Sequence, residues 1–217
     1  MSSRLSRVAL WCEFTLLFVA VPAWLWFDRL SFGQRIIPTL VVISVVCLIV
    51  LLRDRSFDRS RLWNRRDFSL HLRATLKRLL TGTILLGAAT AVFEPELFLR
   101  FPRESPRMWA MVMVFYPVFS VYPQELIFRT FLFHRYRPLF GSTRNLVIVS
   151  AIAFGLAHLF FANLLAPLLS TVGGWVFART YARSASTLQA TIEHGLWGDV
   201  LFTLGLGWYF YGGSIGS

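Results

Sequence analysis

Charged residues are scarce in this chain. Only 15% of the 217 residues are Asp, Glu, Lys or Arg, whereas 56% are hydrophobic. A soluble domain carries about 25% charged residues, so the composition excludes an ordinary soluble fold and indicates a protein with several membrane spans. At about 20 residues for each span, the chain has room for roughly six to eight spans and for no separate soluble domain. We therefore expect a single transmembrane domain over residues 1–217.

Cysteine is rare, and acidic residues are half as frequent as basic ones. Cys12 and Cys47 both lie in apolar stretches, which argues against a disulfide framework and against a cysteine-based metal site. The 22 Lys and Arg against 11 Asp and Glu give a net charge of +11. In a soluble protein this excess would favour nucleic-acid binding. Here the basic residues lie between apolar segments, so we expect contacts with anionic lipids and no nucleic-acid partner.

A clear signal-peptide cleavage site is also missing. The first apolar stretch, residues 8–27, lacks the small-x-small pattern and contains Glu13. We therefore interpret it as a retained first span.

The chain has a series of long apolar runs separated by basic turns. This pattern predicts an all-α polytopic membrane protein with about seven transmembrane helices. Basic residues concentrate at the N-terminus and in residues 53–78, 134–144 and 179–183. The positive-inside rule places these regions in the cytoplasm and the C-terminus on the opposite side, and we expect a bacterial inner membrane. The predicted spans cover residues 8–27, 36–52, 79–93, 108–122, 145–161, 164–177 and 188–210.

Residues 53–78 form the longest polar stretch and the most basic one. Leucine, phenylalanine and tryptophan side chains interleave with its arginines and lysine. This mixture predicts an amphipathic helix that lies on the membrane surface and continues into the third span.

Ionisable side chains inside the predicted spans depart most from the apolar background. Glu125 and Arg129 are four residues apart, so on a helix they share one face and can pair. His158 lies in the fifth predicted span and His194 in the seventh. Ionisable groups at membrane depth are costly and need polar partners, so we expect one shared cavity inside the helix bundle. Such a cavity offers a base for water and a donor for an oxyanion.

At these residues the chain resembles the CPBP family of intramembrane proteases, which includes the type II CAAX prenyl endopeptidases. The family signature is Glu-Glu-x-x-x-Arg, then Phe-x-x-x-His, then His-x-x-x-Asn or His-x-x-x-Asp, on successive membrane helices. Here the first motif runs from Gln124 to Arg129. The second runs from Phe154 to His158, and the third begins at His194. The resemblance covers about residues 108–210, which would form the catalytic core.

Two positions depart from the family signature. Gln124 stands in place of the first glutamate, and its neutral amide can orient a water but cannot take a proton from it. Gly198 stands where the third motif has Asn or Asp, and Asp199 follows one residue later, about 100° further round the helix. We expect Glu125 and Asp199 to take over these roles.

The resemblance implies a glutamic-type intramembrane endopeptidase that uses no metal and no other cofactor. Its substrate would be a membrane-embedded protein or peptide with a hydrophobic or lipidated C-terminal region, cleaved near that end. Glu125 would activate the water, His194 would hold the oxyanion, and Arg129 would anchor the helix that carries Glu125. The residues that would assist are His158 for the water, and Asp199 or Gln124 for the oxyanion.

Three alternatives stay open. Glu125, His158 and His194 form a possible zinc ligand set, although the usual His-Glu-x-x-His spacing is absent. The substitutions at Gln124 and Gly198 are compatible with a non-catalytic scaffold or immunity protein of the same fold. A transporter is less favoured, because few Gly- or Pro-broken helices occur in matched halves of the chain.

Overall fold

The computed structural model describes residues 2–29 and 35–210, with side chains from residue 6 onward. It is 86% helical, and no strand occurs in the described ranges. Short 3-10 helices at Arg59–Leu62, His158–Phe161 and Leu206–Phe210 supplement the α-helices. In chain order the α-helices are α1 (residues 2–27), α2 (Ile36–Arg53), α3 (Phe68–Phe93), α4 (Arg100–Glu104), α5 (Pro106–Arg135), α6 (Arg137–Phe140), α7 (Thr143–Ala157), α8 (Leu165–Ser184) and α9 (Thr187–Leu204).

Five helical segments are long and apolar enough to cross a membrane. They are α1 from Ser6, α2, α3, α5, and α7 together with the 3-10 turn that extends it. Helices α8 and α9 are also 18 residues or longer, but they bury polar side chains such as Thr180 and Glu193 in the protein interior. The architecture confirms an all-α polytopic membrane protein, while the count of seven spans stays a prediction.

Helix α5 is longer than the predicted fourth span. It continues through residue 122 to Arg135, so the first motif lies within the span and not after it. Pro117 and Pro123 lie inside this helix, and each removes a backbone donor. The helix accommodates them with π-helical turns at Pro117–Val121 and Leu126–Phe131, on either side of Glu125. Such turns are frequent at functional sites.

The basic stretch 53–78 is helical only from Phe68 onward. Before that point, Asp54 accepts hydrogen bonds from the backbone and hydroxyl of Ser56, and Asp58 accepts the same pair from Ser60. These side-chain bonds offer the backbone an alternative to a helix, so turns replace the first half of the predicted amphipathic helix. His134, near the end of α5, donates to Asp54 over 2.8 Å, and this bond lowers the pKa of Asp54 to about 2.

The same stretch is fastened to the start of α9. The carbonyl of Asn64 accepts from the Ser186 hydroxyl at 2.7 Å and from the Gln189 amide at 3.1 Å. Ser186 also caps α9 by accepting from the backbone of Gln189. The turn region therefore fixes the first turn of the helix that carries His194.

Small residues bring α7 and α8 into close contact. A Cβ on Gly155 would lie 3.0 Å from the carbonyl of Pro167, and one on Gly174 would lie 3.2 Å from the Cα of Ala151. Close approach through small residues is the usual way in which membrane helices associate. This contact fixes the end of α7, where His158 lies, against the rest of the bundle.

Candidate active site

Helix α5 carries the centre of the site. The Nε of Arg129 lies 3.1 Å from Oε2 of Glu125, and both side chains are 0% exposed. The pair predicted from the i, i+4 spacing is therefore present and fully buried. A buried ion pair is retained only when further polar contacts compensate for its desolvation, and α7 and α9 supply them.

Helix α9 provides the second partner of the carboxylate. His194 Nδ1 lies 2.9 Å from Oε1 of Glu125, so the ring donates its Nδ1–H to the carboxylate. Oε1 of Glu125 thus accepts from His194, while Oε2 lies at ion-pair distance from Arg129 and has no hydrogen-bond partner among the described residues. The carboxylate is fully enclosed, with 0% of the side chain exposed.

Helix α7 supports the guanidinium. Nη1 of Arg129 donates to the hydroxyl of Ser150 at 2.8 Å, and that hydroxyl donates to the carbonyl of Phe128 at 2.7 Å. The guanidinium carbon also lies 4.7 Å above the centre of the Phe154 ring, which is a cation–π contact. Arg129 is thus held from α5 and α7 together.

The Phe154 ring lies between the two histidines. Its centre is 4.5 Å from the His158 ring and 5.4 Å from the His194 ring. Phe177 of α8 stacks on His194, with ring centres 4.4 Å apart, and its ring also lies 6.3 Å from that of Phe154. The second motif therefore supplies an aromatic wall as well as a histidine, and the two imidazoles lie in one compact region.

His158 begins the 3-10 turn after α7. Its Nδ1 lies 2.7 Å from the carbonyl of Phe154, and because a carbonyl only accepts, Nδ1 carries the proton. In the neutral ring this leaves Nε2 with a free lone pair. His158 therefore presents a base to whatever occupies the space beside it.

That space is an apolar cavity of about 1110 Å³, slightly larger than the usual range for small-molecule sites. Helices α1, α2 and α5 form most of its wall, with the 3-10 turn of His158 and two phenylalanines near the C-terminus. The polar wall residues near the motifs are His158, Gln124, Ser120 and Tyr116. Glu125, Arg129 and His194 do not line it. The sequence thus predicted the residues of a shared site, but the structure places only part of them at the cavity.

Gln124 faces the cavity and is 9% exposed. Its amide nitrogen donates to the Ser120 hydroxyl at 2.8 Å, and its Oε1 has no hydrogen-bond partner among the described residues. The side chain is therefore fixed in direction and keeps one free acceptor.

Asp199 is separate from this group. Its Oδ1 is buried without a hydrogen-bond partner among the described residues, and Asp199 does not line the cavity. Position 198, by contrast, faces Tyr116, whose hydroxyl lies 3.3 Å from His194 Nε2. The structure brings Gln124, Glu125, Arg129, His158 and His194 together, and it leaves Asp199 outside the hydrogen-bonded group.

A metal site does not emerge from these side chains. In the part of the chain that the structure describes, no three His, Cys, Asp or Glu side chains are grouped so that they could hold a metal ion. Within the proposed zinc set of Glu125, His158 and His194, the carboxylate of Glu125 is already paired with Arg129 and His194.

Three residues at the site belong to none of the three motifs, namely Ser150, Phe177 and Tyr116. The positions of two of them could have been inferred from helical spacing. Ser150 precedes His158 by eight residues, and Tyr116 precedes Gln124 by eight, so each lies two turns away on the same helix face as a motif residue. Phe177 gave no comparable pattern.

The fold is that of an all-α polytopic membrane protein, with a buried acid–base group inside its helix bundle. Residues 106–198 match the family model described as Type II CAAX prenyl endopeptidase Rce1-like. The matched segment contains all three motifs and confirms the resemblance to the CPBP family, which implies a peptidase. Comparison with curated proteins gave no match, and comparison with solved structures gave none.

Proposed function

We propose that this protein is an intramembrane endopeptidase that cleaves a membrane-anchored or lipidated substrate near its C-terminus, without a metal ion. One observation carries the proposal. His158 and Gln124 lie in the wall of a large apolar cavity, next to the buried ion pair of Glu125 and Arg129, and ionisable groups inside a membrane helix bundle usually mark a functional site.

His158 is the base that the geometry favours. The Phe154 carbonyl fixes the proton on Nδ1, so Nε2 takes the proton from the attacking water. The resulting imidazolium then protonates the leaving amine. The prediction that Glu125 activates the water stays untested, and the burial of its carboxylate favours His158 for this step.

Gln124 orients the water in this proposal. Ser120 holds its amide nitrogen, while Oε1 is buried without a hydrogen-bond partner among the described residues. A turn of the amide toward the cavity would let Oε1 accept a hydrogen bond from the attacking water. An amide in this role positions the nucleophile without changing its charge.

Glu125 and Arg129 act behind the cavity wall. Glu125 fixes the Nδ1 proton of His194, and Arg129 balances the carboxylate charge. Their role is to hold the α9 imidazole in one tautomer and one orientation.

The cavity suits a hydrophobic substrate segment. Met108, Met111, Phe115 and Phe119 of its α5 wall are 50–55% exposed, so the cavity is not sealed from its surroundings. A lipid chain or an apolar C-terminal segment would enter by this route and place the scissile bond beside His158. Helices α1 and α2, which lie outside the family match, would select among such substrates.

The exposed arginines of residues 53–66 would face anionic lipid head groups in the cytoplasmic leaflet, with the N-terminus on the same side of a bacterial inner membrane. Reporter fusions test this orientation. Fusions after Arg66, Arg137 and Arg183 should report cytoplasm, and a fusion after Glu104 should report the opposite side.

The test of activity uses the full chain reconstituted in vesicles of phosphatidylethanolamine and phosphatidylglycerol. The probes are internally quenched peptides that carry a farnesylated cysteine near the C-terminus, or an apolar C-terminal segment without the lipid. We expect cleavage near the C-terminus, identified by mass spectrometry, and we expect it to persist in a strong chelator. Cleavage that requires stoichiometric zinc would contradict the proposed mechanism.

A non-catalytic membrane binding protein is the second candidate. The observation in its favour is that Gln124 replaces a carboxylate at the cavity, while Glu125 is fully enclosed. This function predicts no cleavage of either probe and an unchanged cellular phenotype for substitutions at His158.

A further inference from the structure

Tyr116 links the buried charge network to the cavity. Its hydroxyl is 3.3 Å from His194 Nε2, and its side chain forms part of the cavity wall, as do Ser120 and Gln124. His194 is only 5% exposed and does not reach the wall. A substrate carbonyl in the cavity would therefore meet the phenol before the imidazole.

Gly198 provides the space that the Tyr116 ring occupies. A Cβ at position 198 would lie 2.6 Å from the hydroxyl oxygen and 2.7 Å from Cζ of Tyr116, and closer still to Cε1. Contacts this short are not tolerated, so a side chain at 198 and the Tyr116 ring exclude each other. Three residues earlier on α9, a Cβ on Gly195 would lie 3.4 Å from Pro117. The glycine face of α9 thus allows α5 to approach closely.

We propose that the Tyr116 hydroxyl is the oxyanion donor of this site, in place of the side chain that position 198 lacks. This inference rests on the proposed peptidase function. Besides Tyr116, the Ser120 hydroxyl and the amide of Gln124 are neutral donors in the cavity wall near the motifs, and of these three Tyr116 is the one that contacts His194. The Gln124 amide is already committed to Ser120.

The hydroxyl is free to serve in this way. At 3.3 Å its bond to His194 Nε2 is long for an O–H donor, so the hydroxyl can readily redirect this hydrogen bond to a stronger acceptor. As the water oxygen bonds to the carbonyl carbon, its proton passes to His158 and the carbonyl electron pair moves to oxygen. Tyr116 then turns its O–H from His194 to that oxyanion without losing its proton. When the C–N bond breaks, the amine takes the proton from His158 and Tyr116 returns to His194.

The central test is Tyr116→Phe in the vesicle assay. The ring and its packing stay, and only the hydroxyl is lost. Loss of one oxyanion donor lowers the rate by about 10²-fold or more, and because the donor acts in the transition state we expect the loss in kcat with KM little changed. The matched control is Tyr136→Phe, which also removes one phenol hydrogen bond, to Glu13 at 2.9 Å, outside the site. It should cleave at the wild-type rate.

A second measurement tests whether a side chain at position 198 and the Tyr116 ring exclude each other, and it needs no activity assay. Gly198→Ala in the wild-type background should lower the thermal unfolding midpoint, because the methyl group meets the Tyr116 ring. The same substitution combined with Tyr116→Ala should cost nothing beyond Tyr116→Ala alone.

The outcomes distinguish a failure of the Tyr116 donor role from a failure of the proposed peptidase function. Wild-type cleavage together with full activity of Tyr116→Phe would overturn the donor role and leave the peptidase function intact. No cleavage by the wild-type protein would overturn both. Equal destabilisation by Gly198→Ala in both backgrounds would show that the added methyl group and the Tyr116 ring do not exclude each other.

Discussion

Two neighbouring residues of α9, Glu193 and His194, take part in two different buried charge groups. Glu193 faces α3 and α8, where Oε1 accepts from Arg78 at 2.6 and 3.0 Å and Oε2 accepts from the Thr180 hydroxyl. His194 faces α5 and pairs with Glu125. Both carboxylates are 0% exposed, so burial and pairing do not distinguish the two groups.

The two groups differ in where their further polar contacts lead. On the Glu193 side, the charge is compensated by Arg78, which is 37% exposed and reaches water or head groups. On the His194 side, the chain of contacts leads through Tyr116 to the cavity, where His158 and Gln124 also lie. We therefore expect a catalytic role for the group that connects to the cavity and a structural role for the group at Glu193. The predictions below test this contrast.

The largest effect is expected for Glu125→Gln. The substitution keeps the shape but leaves the Arg129 charge buried without a counter-charge, which costs about 3–5 kcal/mol of stability. It also releases His194 from its fixed tautomer, so the cleavage rate of the remaining folded protein should fall by about 10²-fold or more. SDS titration in mixed micelles measures the first effect and the vesicle assay the second. Wild-type stability and activity would show that the charge network has neither role.

His158→Gln should lower the cleavage rate while leaving the stability of the protein almost unchanged. The amide can still reach the Phe154 carbonyl, so unfolding should shift little, while loss of the base lowers the rate by about 10²–10⁴-fold. His134→Gln is the matched control, because His134 contacts Asp54 at the end of α5, away from the cavity. Equal activity of the two variants would remove His158 from the chemistry.

Glu193→Gln should lower the stability of the protein while leaving the cleavage rate unchanged. It loses charge-assisted bonds to Arg78 and Thr180, which costs about 1–3 kcal/mol, less than at Glu125 because the partly exposed Arg78 is hydrated when unpaired. The rate for each folded molecule should stay at the wild-type value. A large loss of kcat with normal stability would mean that the two groups are coupled through α9.

The sequence predicted the members of the site better than their arrangement. Spacing on α5 implied the Glu125–Arg129 pair, and the cost of charge in a membrane implied that both histidines join it. Spacing could not reveal that Glu125 is enclosed while Gln124 faces the cavity, because that depends on how α7 and α9 pack against α5.

The misjudged segments have local physical causes. The amphipathic pattern of residues 53–67 is genuine, but Asp54 and Asp58 bind their own backbone and favour turns. Helix α5 extends past Pro123 because a membrane helix tolerates proline when π-helical turns reorganise its bonds. The role of Tyr116 depends on the absence of a side chain at Gly198, a relation between two helices that one sequence does not display.

The smallest effect is expected at Gln124, whose role is to orient water. Gln124→Ala removes one hydrogen bond, worth about 1 kcal/mol, so the rate should fall by only about fivefold. Gln124→Glu restores the paired acids of the family signature at a position that already faces the cavity, and it should keep or raise the rate. Both rates are measured in the vesicle assay beside Glu125→Gln. If Gln124→Ala is inactive while Glu125→Gln is fully active, the working polar group is the one at the cavity wall and Glu125 is only a structural partner of Arg129. If Gln124→Glu is inactive but stable, a neutral amide at this position is required, and this protein follows a different chemistry from the family signature.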